Sequence, residues 1–184
     1  MNGRVCWSQR MQRQQLITAL SFLKTVGALH GHFGPGRAST FHELGKGVQT
    51  IMDKIGRNVL RENTRTFFDV IDQCWGIRAV AFKEGAVYVR GTFLICLATL
   101  FSQHTNFWRE NRLFIERDLV KKIALFPVTD PQVINLSSAG GKARDLLYQL
   151  MLQHVNSGKR TKRLVSRSSG RYATPLPQIA ANSD

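Results

Sequence analysis

The sequence predicts an α+β fold that is mainly helical, with a ribbon-helix-helix-related core, a short β-hairpin and a basic C-terminal tail. Three observations lead there. Apolar residues recur three and four apart over most of the chain, the signature of helices with one buried face. The period shortens to two only after Trp75-Gly76. From Lys159 onward basic, Ser, Gly and Pro residues replace the apolar ones, and such a segment cannot bury enough surface to order alone.

Taken in order, Gln9 to Ala28 reads as a helix with Met11, Leu16, Leu20, Leu23 and Val26 on its buried stripe, ended by the Gly-rich stretch from Gly31 to Gly36. Thr40-Phe41-His42-Glu43 has the form of a capping box, and Leu44, Val48, Ile51, Ile55 and Val59 follow at helical spacing. That pattern runs to about Cys74, long for one helix, so a break near Glu62-Asn63-Thr64 is expected. Ile77 to Phe82 and Ala86 to Arg90 alternate across Lys83-Glu84-Gly85 and read as a β-hairpin. Thr92 to Phe107 is apolar nearly all round, as in a helix buried on every side, often between subunits. Trp108 to Arg112 reads as a connection, Leu113 to Phe126 as a helix whose start could instead be strand, and Pro127 and Pro131 as the brackets of an irregular segment. A last helix spans about Lys142 to Asn156, with Leu146, Leu147, Leu150, Met151 and Val155 on one face, stopped by Asn156-Ser157-Gly158. The organisation expected is a basic N-terminal helix and loop over 1–37, a helix-rich binding and dimerisation domain over 38–158, and a basic flexible tail over 159–184.

Charge is the most unusual property. Lys and Arg number 26 against 12 Asp and Glu, a formal net charge of +14. Self-repulsion of that size opposes compaction, so a polyanionic partner is the natural explanation, nucleic acid first. The three cysteines, Cys6, Cys74 and Cys96, are odd in number and widely spaced, which indicates neither a disulfide framework nor a zinc site and fits a reducing compartment. No apolar run approaches the ~20 residues that span a bilayer, so no membrane partner is expected. Met1 to Arg37 is basic and free of acidic residues, which also describes an organelle transit peptide.

No residue set predicts catalysis, a cofactor or a metal. Leu136-Ser137-Ser138-Ala139-Gly140-Gly141-Lys142-Ala143 superficially matches a phosphate-binding loop, but Leu136 stands where Gly is needed and Ala143 where a hydroxyl must ligate magnesium. Its two glycines could still open a helix whose free amides and Lys142 hold a phosphate; a simple helix-start turn is the equal alternative. His30, His32, His42, His104 and His154 form no metal spacing, and Asp69 with Asp72 reads as a solvated face. The expected DNA-binding residues are Lys142, Arg144, Lys159, Arg160, Lys162 and Arg163, which can neutralise phosphates, and Tyr88 and Arg90, two apart on one strand face, which could point at bases. A half-buried tyrosine beside a surface arginine explains the last two equally well. The strand followed by two helices has the order of a ribbon-helix-helix unit, in which strands of two subunits pair and enter the major groove.

Val89-Arg90-Gly91-Thr92-Phe93-Leu94, Asn111-Arg112-Leu113-Phe114-Ile115-Glu116, and Gly140-Gly141-Lys142-Ala143-Arg144-Asp145-Leu146-Leu147 with His154, Asn156 and Gly158 to Leu164 resemble the AcaB family of transcriptional activators of conjugative plasmids and integrative conjugative elements. The resemblance covers roughly Phe41 to Leu164. It implies a homodimeric, ribbon-helix-helix-related activator in the bacterial cytoplasm that binds promoter DNA of conjugative-transfer genes, with RNA polymerase as a further partner. The extra strand expected over Ile77 to Phe82 departs from a minimal ribbon-helix-helix unit and leaves the roles of Tyr88 and Arg90 open. A plasmid replication or partition protein, which would bind repeated sites, and a structural RNA-binding protein are the other readings.

Overall fold

The computed structural model describes residues 5–6, 17–32, 40–79, 86–139, 141–158 and 163–168. These form seven α-helices and two small two-stranded ladders. β1 (Val5–Cys6) and β2 (Ile17–Thr18) pair in parallel, and the chain passes directly into α1 (Ala19–Leu29), whose first turn is capped by Thr18 accepting from the Ser21 amide. The helix therefore starts later than its sequence periodicity suggests; residues 9–16 of that expectation lie outside the described residues.

The expected capping box is present. Thr40 Oγ1 accepts from the Glu43 amide at 3.3 Å, Glu43 Oε2 accepts from the Thr40 amide at 2.7 Å, and α2 (Phe41–Ile55) begins there. The break in the long apolar pattern falls at Gly56 rather than near Asn63. Gly56 holds φ +85° and ψ 145°, a region open to glycine alone, and closes α2 while opening α3 (Arg57–Trp75). Asn63 instead sits buried inside α3.

α4 (Gly91–Gln103) is the centre of the core. Phe93, Leu94, Cys96, Ala98, Leu100 and Phe101 are fully buried, each large side chain worth ~1.5–3 kcal/mol relative to exposure. Its own chain covers it, through α1 and α7 (Lys142–Asn156) above all, so its all-round apolarity needs no second subunit. Gly91 permits the closest approach: a Cβ there would stand 2.5 Å from Ser21 Oγ of α1. Ring packing ties α3 to α4, with Phe67 edge-on to Phe101 at 5.7 Å and Trp75 edge-on to Phe93 at 5.3 Å.

The hairpin expected over Ile77 to Arg90 is corrected on its second strand, where Val87–Val89 is one turn of 3₁₀ helix running into α4. Ile77, Arg78 and Ala79 form a turn, and residues 80–85 lie outside the described residues. The alternation of Val87, Tyr88 and Val89 arises from packing: Val87 enters the core, Tyr88 stacks on Trp75 at 5.9 Å, and Arg90 is the N-cap residue of α4. A hairpin forms later, where the sequence suggested a connection: β3 (Trp108–Arg109) pairs antiparallel with β4 (Arg112–Leu113). Glu110, at the tip, holds φ +55°.

α5 (Arg117–Ala124) is shorter than expected, and α6 (Pro131–Ser138), for which no element was expected, begins at the proline that closes the irregular segment. Pro131 is the first residue of α6, where its missing N–H costs nothing, and Asp130 caps the helix by accepting from the Gln132 amide at 2.7 Å. α7 matches its expected bounds, although Leu146 is 54% exposed and lies off the buried face. Arg163 to Ser168, inside the expected tail, dock on the domain. Leu164 is fully buried, Asn156 Oδ1 accepts its amide at 2.9 Å, and Thr105 N donates to Val165 O at 2.9 Å. Among the described residues no helix is long and apolar enough to cross a membrane.

Candidate nucleic-acid interface

The predicted contact residues divide into two groups. Arg90 lies at the junction where α4 begins, α6 ends and α7 begins. Its Nη1 donates to Ile134 O and Ser137 Oγ, both at 2.9 Å, and to Ser138 Oγ. A guanidinium on the last carbonyls of a helix meets the negative end of its dipole, so Arg90 clamps α6 to α4. It is half-buried and so is Tyr88, against Trp75. Neither side chain stands on a strand facing outward, and the pairing expected to point both at bases is corrected. Arg144 also turns inward: its Nε is buried with no hydrogen-bond partner among the described residues, and its charge acts on the buried Cys96 thiol, which desolvation pushes up to about 12. Lys142 and Arg163 remain exposed, Lys142 on the first turn of α7 after Gly141. Lys159, Arg160 and Lys162 lie outside the described residues.

The structure brings together a different set of cations. Lys54 ends α2, and Arg57 and Arg61 stand one turn apart on α3, immediately past the Gly56 corner. All three are exposed and make no ion pair among the described residues. The β3–β4 hairpin lies alongside α3, fixed by the buried Asn63 amide: its Nδ2 donates to Asn111 O and its Oδ1 accepts from Leu113 N, each at 2.9 Å. Arg112 adds an ion pair with Glu62. Across the hairpin from Arg112, the Arg109 guanidinium lies 3.6 Å from the centre of the Phe114 ring, and Phe114 is 38% exposed. The docked C-terminal segment contributes Arg167, whose guanidinium is 5.1 Å from the Trp108 ring and donates to Ser102 O at 3.3 Å.

No family model, characterised protein or solved structure matches the chain.

A crevice of about 90 Å³ connects the two halves of this basic face, with His30, His32, Lys54, Trp108, Asn111 and Arg167 around it. His30 is held near 4 by burial and then by the charges of His32 and Arg167. A larger cleft of about 600 Å³ lies between α1, α2 and α3, floored by Phe22, Val26, Leu60 and Phe68 and rimmed by Arg61, Arg65 and Arg78. The last two of these arginines pair with Asp69, and Arg78 also with Asp72. Among the described residues no group of three or more His, Cys, Asp or Glu is placed to hold a metal. The corner cations had a sequence signal, Lys54, Arg57, Arg61 and Arg65 at three- and four-residue intervals. Arg167 stood only as one cation of the basic C-terminal run, and the docking of Arg167 and Asn63 had no signal, since their partners are remote in sequence.

Proposed function

We propose that this chain is a non-enzymatic, duplex-DNA-binding regulator that grips the phosphate backbone through the face built from the α2–α3 corner, the β3–β4 hairpin and Arg167. The observation that carries the reading is Lys54, Arg57 and Arg61 standing exposed, without acidic partners among the described residues, at the corner before the hairpin whose Arg109 lies on the Phe114 ring. Unpaired surface cations cost the fold self-repulsion, and each phosphate they neutralise releases counterions. Guanidiniums held against rings lose less side-chain freedom when they engage an anion. Lys142 and Arg163 extend the positive surface. The resemblance to AcaB activators alone supplies the rest of the proposal: promoter DNA of conjugative-transfer genes, a homodimer, a bacterial cytoplasmic setting and contact with RNA polymerase. Base reading by a paired strand would need a strand that Ala86 to Arg90 does not provide, so on this account the hairpin or α3 approaches the groove.

One observation favours a second reading. The exposed Phe114 beside Arg109 is the kind of stacking platform that binds unpaired bases, as a structural RNA-binding protein would use it. Binding of the purified chain to duplex DNA, duplex RNA and single strands over a salt series separates the two. Duplex DNA bound most tightly, with a few genomic fragments enriched, supports the regulator; tightest binding to single-stranded RNA, lost in Phe114→Ala, replaces it with the second reading. Enrichment of repeated sites within one plasmid would move the regulator toward replication or partition.

A further inference from the structure

We propose that the crevice bounded by His30, His32, Lys54, Trp108, Asn111 and Arg167 is a binding site for one phosphate group. Its side chains come from the α1 C-terminus, the end of α2, the hairpin and the docked C-terminal segment, so the site exists only in the folded chain. Four of the six carry or can carry positive charge, and no carboxylate lines it. Ile51 and Ile55 close the floor, which lowers the local dielectric and strengthens any charge interaction made there. About 90 Å³ is room enough for a tetrahedral oxyanion.

Two further details point to an anion. His30 Nε2 is buried and has no hydrogen-bond partner among the described residues; a buried ring nitrogen left in that state is unfavourable unless something fills the site. Trp108 is fixed by its Nε1 donating to Phe101 O at 2.7 Å and in turn seats the Arg167 guanidinium. Lys54 and Arg167 then supply permanent charge, Asn111 an amide, and His30 an N–H donor once the anion arrives. The phosphate could be one unit of a nucleic-acid backbone or a free phosphate. Either use leaves the chemistry of the site the same, and the site does not depend on the chain binding DNA.

The test uses the full-length protein with inorganic phosphate and, separately, with duplex DNA, comparing wild type, Lys54→Gln and Arg167→Gln. Lys54 is exposed, so its variant should fold as the wild type does; Arg167→Gln also loses a docking hydrogen bond and is read only if its thermal midpoint is retained. Phosphate should bind the wild type and shift the His30 ring resonances toward the protonated form, and each variant should weaken that binding about tenfold. If Lys54→Gln weakens both phosphate and DNA, and phosphate competes with DNA, the occupant is a backbone phosphate. If it weakens phosphate alone, the occupant is a free phosphate, and this outcome stands even where DNA binding is absent. Phosphate binding that is absent, or equal in wild type and Lys54→Gln with unmoved His30 resonances, overturns the proposal.

Discussion

Two basic regions of the molecule differ in sequence and behave differently in the fold. Around Arg90, Lys142 and Arg144, charge gathers next to glycines and serines and suggests a phosphate cradle. Around Lys54, Arg57, Arg61, Arg109 and Arg167 it is scattered over four segments and forms no single run. In the structure the first region is largely internal: Arg90 closes the C-terminus of α6, and Arg144 lies against α4. The second stays on the surface, held by a buried asparagine and two aromatic rings. Arg90 is held inward by the C-terminal end of α6, where its guanidinium meets the negative end of the helix dipole.

The sharpest way to break this comparison is Arg90→Ala. It removes donors to Ile134 O and to the buried Ser137, and should lower unfolding free energy by about 2–3 kcal/mol in urea titration. DNA affinity of the protein that remains folded should be unchanged. A selective loss of DNA binding at unaltered stability would return Arg90 to the interface.

Asn63→Ala comes next. It leaves the Leu113 amide and the Asn111 carbonyl without their partner and should cost about 2 kcal/mol, with faster hydrogen exchange at Leu113. Because the hairpin is then loosened, binding should weaken as well, which Arg90→Ala is not expected to do.

A smaller effect concerns pH. His30 is lowered from 6.5 to about 4, by burial first and then by His32 and Arg167, and Lys54 faces it across the crevice. Burial also lowers His104. A histidine depressed in the folded state binds fewer protons there than in the unfolded chain. Stability should therefore fall as pH drops from about 6.5 toward 4 and level off below that. Thermal midpoints across this window check it, and millimolar phosphate should reduce the loss; a midpoint that rises on acidification contradicts the assignment.

Much of the helical frame was legible in sequence because its signals are local. The capping box at Thr40 and Glu43, the α7 bounds and the buried character of α4 all rest on residues within a turn or two of one another. The Gly56 break was legible too, as an isolated glycine inside a helical pattern, but Asn63 drew attention because polar residues rarely sit mid-helix unless a distant partner needs them. Pro131 read as a breaker when Asp130 before it marked a helix start. The β3–β4 strands are two residues each, too short for any period, and Val87 to Val89 alternated without being a strand. The site was least legible where its contacts are long-range, as with Asn63 and the hairpin, or Arg167 and Trp108. The return of Leu164 to the core has a practical consequence: truncation after Gly158 removes a buried side chain along with the basic charge, so it does not isolate the tail.

The most direct test of the basic face is the salt dependence of duplex-DNA binding by the wild type and by the Arg57→Gln, Arg61→Gln double variant. Both residues are exposed and unpaired, so stability should change by less than about 0.5 kcal/mol. If they contact phosphates, the slope of log K against log salt should become shallower by roughly 2, with affinity lost evenly across DNA sequences. An unchanged slope and affinity would place the DNA elsewhere and contradict the account.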